Sequence, residues 1–134
     1  MTGEINLDTL IREMKPECNA GEYVFCTLDS NDSINKMNPV GSFREKEGVT
    51  VILPKEQADQ LSLPYSFVSA WITLTVHSSL EAVGLTAAVS QSLAKAGISC
   101  NIIAAYYHDH LFVPVHEAER ALMILKNISK TTHE

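Results

Sequence analysis

The first periodic signal along the chain is helical. Leu7, Leu10, Ile11 and Met14 stand at i, i+3, i+4 and i+7, one face of a helix, and Pro16 just beyond them stops it. The pattern then changes to "EYVFCTL" (Glu22 to Leu28), rich in β-forming residues and predicted as a strand. "DSNDSINKMNPVG" (Asp29 to Gly41) is polar and turn-rich and predicts a loop. "SFREKEGVTVILP" places Glu47-Gly48 between two extended runs and predicts a hairpin. Pro54 opens a short helix over "PKEQADQL", at a position whose N–H has no partner to lose.

The second half has clearer periodicity. In "SFVSAWITLTV" (Ser66 to Val76), Ile72, Leu74 and Val76 alternate with Trp71, Thr73 and Thr75, as the two faces of a strand do. Leu85, Ala88, Val89, Leu93 and Ala96 form a helical stripe, and Gly97 just past it suits a left-handed cap. "ISCNIIAAYY" and "HLFV" are predicted strands, joined by a turn that holds Asp109 between His108 and His110. Trp71, Tyr106, Tyr107 and Phe112 are expected to pack on the sheet. Pro114 opens a last helix with Ala118, Ala121, Leu122, Leu125 and Ile128 as its apolar stripe. Glu117 and Glu119 near its start and Lys126 and Lys130 near its end complement the helix dipole.

The two halves echo each other. "ILPKEQAD" (Ile52 to Asp59) and "FVPVHEAE" (Phe112 to Glu119) share a strand end, a proline and an alanine four residues on, with the prolines 60 residues apart. Repeated strand–helix–strand–strand–helix order is that of the ferredoxin-like unit. The expected fold class is therefore α+β: duplicated ferredoxin-like units in residues 1–65 and 66–134, with an antiparallel sheet and helices packed on one face. Sheets of this kind pair with other copies, so a homo-oligomer is expected.

Composition narrows the function. The chain has 134 residues, 46% of them apolar and 19% charged, enough for a packed core. A formal charge of −6 argues against nucleic acid or an anionic membrane as partner. From Glu56 to Glu119 Lys95 is the sole lysine or arginine, so a pocket built from that stretch has almost no cation for a phosphate. Cys18, Cys26 and Cys100 lack a C-x-x-C pair and read as buried thiols. The start resembles no secretory leader and no apolar run is long enough to span a bilayer, so a cytoplasmic address is expected.

Two places could carry chemistry. In "HSSLEAVGLTAAVSQSLAKAGISCN" (His77 to Asn101) a strand gives way to a helix at a serine- and glycine-containing turn. Free N–H groups at such a helix start can hold a carboxylate without Lys or Arg. Gly84, lacking a Cβ, would let a ligand approach the backbone. Ser78 to Glu81 also fits a capping box, a purely local stabiliser. The second place is "YYHDHLFVP" (Tyr106 to Pro114). His108-Asp109-His110 has metal-binding atoms, but no third ligand is near in sequence; His77 and His116 are candidates only if the fold delivers them. Ser78, Ser79 and Cys100 lack a nucleophile elbow or a base at recognisable spacing. No metal, cofactor or catalytic residue is therefore expected. Within one ferredoxin-like unit, the turn after the first strand and the later hairpin are expected at opposite ends of the sheet.

Residues Trp71 to Leu125 resemble the ACT-domain family of small-molecule-sensing modules. Gly84-Leu85-Thr86 is similar to the family's G-[IL]-x helix start, and "LAKAGISCN" to its L-x-x-x-G-I-x-[IV] junction, with Cys100-Asn101 a polar departure. "YYHDHLFVP" resembles the hairpin of the branch containing aspartate-kinase regulatory domains and CASTOR-type arginine sensors. The resemblance implies a tandem module, the N-terminal half a degenerate copy, that binds an amino acid and has no catalytic activity. It also implies that Val83, Gly84, Leu85 and Thr86 supply a backbone cradle, that Asp109 sets side-chain preference, and that Glu81 is a second acid nearby. The rival expectation is a protein–protein interaction module that needs no ligand.

Overall fold

The computed structural model describes residue 3, residues 6–77 and residues 79–133. Packing divides the chain into two compact units. Residues 20–69 form an inserted unit; residues 1–19 together with 70–134 form a flanking unit.

The inserted unit contains β2 (Tyr23–Leu28), β3 (Gly41–Arg44), β4 (Val49–Pro54) and α2 (Lys55–Gln60). β4 pairs antiparallel with β3 through Phe43↔Thr50 and with β2 through Cys26↔Val51. Tyr23 and Val24 pair in turn with Ser69 and Val68. Alternation along β2 and β4 turns Val24, Cys26, Val49, Val51 and Leu53 to one face, where Ala58 of α2 closes the core. The segment predicted as a loop contains a 3₁₀ turn at Asn31–Lys36, and Ile34 and Met37 pack against this core. Two apolar residues three apart make one turn of stripe, enough to pin a loop and too little to hold an α-helix.

The flanking unit contains α1 (Leu7–Glu13), β1 (Pro16–Cys18), most of β5 (Val68–Leu74), α3 (Leu85–Lys95), β6 (Asn101–Ala104), β7 (Asp109–Pro114) and α4 (Ala118–His133). Its strands lie in the order β1-β5-β7-β6, with β1 antiparallel to β5 and β6 antiparallel to β7. Helix faces bearing Leu10, Met14, Val89, Leu93 and Leu125 bury Ile72, Leu74, Leu111 and Val113 of the sheet. Local signals hold as predicted. Asn6 Oδ1 accepts from the Thr9 N–H at 3.0 Å at the start of α1. Gly97 takes φ 76°, and Ile98 and Gly97 donate to the Leu93 and Ala94 carbonyls, ending α3.

Both units follow one plan, an α+β ferredoxin-like duplication with antiparallel strands and helices on one face. In each, the first and third strands are neighbours, the second lies outside the third, and a fourth strand lies outside the first. β5 takes the fourth place in the inserted unit and the first place in the flanking unit, where β1 fills the fourth. The echo is reproduced in backbone geometry: Pro54 has φ −54°, ψ 136° and Pro114 φ −52°, ψ 135°. β4 and β7 also share the same order of buried and half-buried positions.

Several expectations are corrected. Asp109 is the first residue of β7, not part of the turn, which closes at Ala105–His108 through the Ala105 N–H and the His108 carbonyl at 3.0 Å. Tyr106 and Tyr107 therefore stand in that turn, each 60% exposed, and do not pack on the sheet. Cys26 is buried and Cys100 half-buried, but Cys18 is exposed because β1 is only three residues long.

Candidate ligand site in the flanking unit

β5 ends at Leu74, and the chain crosses the end of the sheet before α3 begins at Leu85. His108 Nδ1 lies 3.3 Å from the Val76 carbonyl. The β6–β7 turn is thus at the same end of the sheet as the β5–α3 connection, not the opposite end. The reason is topological: in an antiparallel order β5-β7-β6, β5 and β6 run the same way, so both leave at one end.

Asp109 occupies that end. It pairs with Ala104 and alternates with Leu111 and Val113, so it faces the helix layer, and only 8% of it is exposed. Burial pushes its carboxyl above the usual range, and the charge of His108 partly opposes this. Among the described residues its carboxylate has no hydrogen-bond or ion-pair partner.

The connecting turn is only partly as expected. Ser78 lies outside the described residues. Ser79 Oγ accepts from the Glu81 N–H at 3.1 Å, a local turn, and α3 starts at Leu85 with Gly84 as its N-cap. Glu81 therefore stands before the helix, not in its first turn, and the Ser78 half of the predicted capping box lies outside the described residues. Val83 and Thr86 are exposed, Leu85 is buried in the core, and Glu81 is exposed. Gly84 adopts φ 102°, and a Cβ there would meet Leu7 Cδ2 at 2.9 Å. The space left by its missing side chain is filled by Leu7. Among the described residues no side chain caps the start of α3, whose first N–H groups have no partner within the helix.

The opposite face of the sheet carries a polar–aromatic group. Trp71 Nε1–H donates to His110 Nδ1 at 3.0 Å, Thr73 Oγ1 lies 3.2 Å from the same nitrogen, and Trp71 stacks on Phe112 with ring centroids 6.2 Å apart. Indole is a donor only, so His110 Nδ1 must accept and its proton sits on Nε2. Burial pushes the His110 imidazole below its ordinary value, and the charge of His108 adds to this. His108 and His110 thus face different partners. Among the described residues no group of three or more His, Cys, Asp or Glu side chains is arranged to hold a metal. Cys100 is pushed up to about 11 by burial, which keeps its thiol protonated near neutral pH.

Each unit also carries an open cavity. In the inserted unit one of ≈ 480 Å³ lies over Gly21, Tyr23, Lys55 and Asp59, where the Tyr65 hydroxyl and the Lys55 ammonium hold the Asp59 carboxyl low. In the flanking unit one of ≈ 670 Å³ is lined by Arg12, Lys15, Thr75, Val76, His77 and Ser129. Sequence reasoning missed Arg12 and Lys15. They come from outside the cation-poor stretch, Arg12 on α1 and Lys15 in the two-residue link between α1 and β1, and so short a link leaves no periodicity to read.

Two ACT domain models match the chain, over residues 2–70 and 66–127. The chain belongs to the ACT-domain family. It is 48% identical to a Vibrio cholerae protein of unknown function described as a possible transport protein, over 92% of this chain and 95% of that one, with a TM-score of 0.83. An Agrobacterium tumefaciens protein shares the fold at 16% identity, over 87% and 89% of the chains, TM-score 0.62. So does the ligand-free regulatory subunit of aspartate kinase from Thermus thermophilus, at 10% identity over 84% and 95%, TM-score 0.59. No curated protein sequence matches. Among the described residues no helix is long and apolar enough to cross a membrane.

Proposed function

We propose that this chain is a regulatory amino-acid-binding module without catalytic activity, working in the cytoplasm as a homo-oligomer. Residues 1–65 and 66–134 are its two repeats, a reading supported by family models that meet over residues 66–70. In the second repeat, the amides of Val83, Gly84, Leu85 and Thr86 take the ligand's carboxylate, with Leu7 as an apolar wall beside them. Asp109 takes a positive group on the ligand side chain, and Glu81 adds negative charge to the approach.

The observation that carries this reading is the buried Asp109 carboxylate, without a partner among the described residues. Burial disfavours ionisation of this carboxyl, so a cationic group delivered by a ligand would favour its charged form. Self-association is supported by β6, an edge strand of the flanking unit without a charged residue in Asn101–Ala104.

Thermal-shift and calorimetric titration with lysine, arginine and neutral amino acids tests the proposal. A ligand at 100 times its dissociation constant adds about 2.7 kcal/mol of stability. Asp109→Ala is expected to weaken the cationic amino acids about tenfold or more and the neutral ones little. Equal loss for both removes Asp109 from its role. If no amino acid shifts the melting temperature, the interaction-module reading takes over.

A further inference from the structure

We propose that the cavity beside the end of β5 in the flanking unit is a binding site for a small oxyanion, a carboxylate or a phosphate, held by Arg12 and Lys15. It is an open cavity of ≈ 670 Å³, with Thr75, His77 and Ser129 among its lining residues and Glu13 the one acid among the described residues that line it. In a chain of net charge −6, two of the ten Lys and Arg residues converge here.

Arg12 lies in the last turn of α1 and Lys15 just beyond it, and the backbone carbonyls of both are engaged. Ser129 Oγ donates to the Arg12 carbonyl at 2.8 Å. Thr75 donates both its N–H, at 2.9 Å, and its Oγ1, at 2.8 Å, to the Lys15 carbonyl. These two carbonyls are thereby engaged by donors on α4 and past β5, which also fix where each cationic side chain starts. One Arg12 nitrogen lies 3.4 Å from Thr9 Oγ1, which holds the guanidinium along the helix flank. A guanidinium fork matches a planar or tetrahedral oxyanion and an ammonium adds a point charge, a pairing suited to small organic acids and phosphate esters. On one side the wall continues as an aromatic surface, His77 lying 5.3 Å from Tyr107 and 6.3 Å from Tyr106 between ring centroids.

The test is amide chemical-shift titration of the full chain at low ionic strength, with inorganic phosphate and, separately, with succinate. Saturable shifts at residues 12–15, 75–77 and 129 are expected with at least one of them. Tighter phosphate assigns a phosphorylated ligand; tighter succinate assigns a carboxylate. Added salt weakens the binding. Arg12→Gln with Lys15→Gln weakens it roughly tenfold or more, and Lys46→Gln, which removes one cation from the inserted unit, leaves it unchanged. Lys15→Gln alone changes an exposed side chain, so a native amide spectrum with weaker binding excludes misfolding as the cause. The proposal is overturned if neither anion produces saturable shifts at these amides. It is equally overturned if the shifts survive in the double variant, or if Lys46→Gln weakens them as much as Lys15→Gln. None of these results depends on Asp109, so this site and the amino-acid site stand or fall separately.

Discussion

The β4 and β7 strands are the same strand built twice, and they differ where they begin. Sixty residues apart, Val49 and Asp109 hold the first position of their strands and are both buried. In the inserted unit that position is one more contributor to an apolar core; in the flanking unit it is a largely buried carboxyl whose ionisation burial disfavours. The residues beside them diverge too. Gly48 sits so close to the end of β2 that a Cβ would come within 2.6 Å of the Leu28 carbonyl oxygen. Its counterpart His108 reaches the Val76 carbonyl, past the end of β5, with its ring. One repeat keeps its strand end closed by bare backbone, and the other places titratable side chains there. A fold of this kind tolerates either arrangement, because the interior alternation of the strand carries the core in both.

Exchanging the two residues is the sharpest way to break this comparison. Val49→Asp puts an unpaired carboxyl into the inserted unit and is expected to destabilise it by about 3 kcal/mol in urea unfolding at neutral pH. The reverse change, Asp109→Val, should raise stability by about 1 kcal/mol. The sign follows from linkage. Because the folded-state carboxyl is raised, its ionisation disfavours the fold at neutral pH, and the gain from removing it should fade as pH falls towards about 4. A loss of stability in Asp109→Val at neutral pH would mean that the carboxylate has a partner.

A smaller effect belongs to the flanking unit alone. Gly84→Ala combines a left-handed φ with a clash against Leu7 and should cost about 2 kcal/mol. Coupling to Leu7→Ala should recover part of that in a double-mutant cycle; strict additivity would show that Leu7 is not what crowds the position. Smallest is the His110 contribution. Its folded-state value is lowered, so stability should fall by under about 1 kcal/mol as pH drops below about 6.5, where the unfolded chain takes up the proton first. The slope should vanish in His110→Gln, and Trp71 emission should change over the same range, because protonated Nδ1 can no longer accept from the indole.

How legible this was in the sequence depended on what kind of signal each part left. Leu85, Val89 and Leu93 repeat at helical spacing and Ile72 and Leu74 alternate, so α3 and β5 were evident. Pro54 and Pro114 announced the duplication. The turn at Tyr106-Tyr107 was misread because aromatic residues raise strand propensity wherever they stand, and only hydrogen bonding decides where a short hairpin closes. The candidate cradle was placed in the right connection, but its glycine was credited with open space that a residue 77 positions earlier fills. Arg12 and Lys15 were missed for the same reason: contacts between distant segments leave no local pattern.

The discontinuous make-up of the flanking unit has a consequence for synthesis. Ser129 bonds to Arg12 across a separation of 117 residues, so α1 must wait for α3 and then α4 to be made before its helical neighbours exist. The stretch from residue 20 to 69 is contiguous and can condense on the ribosome first. During translation α1 is therefore left with its oily side uncovered until those helices follow, a natural client surface for whatever shields nascent chains.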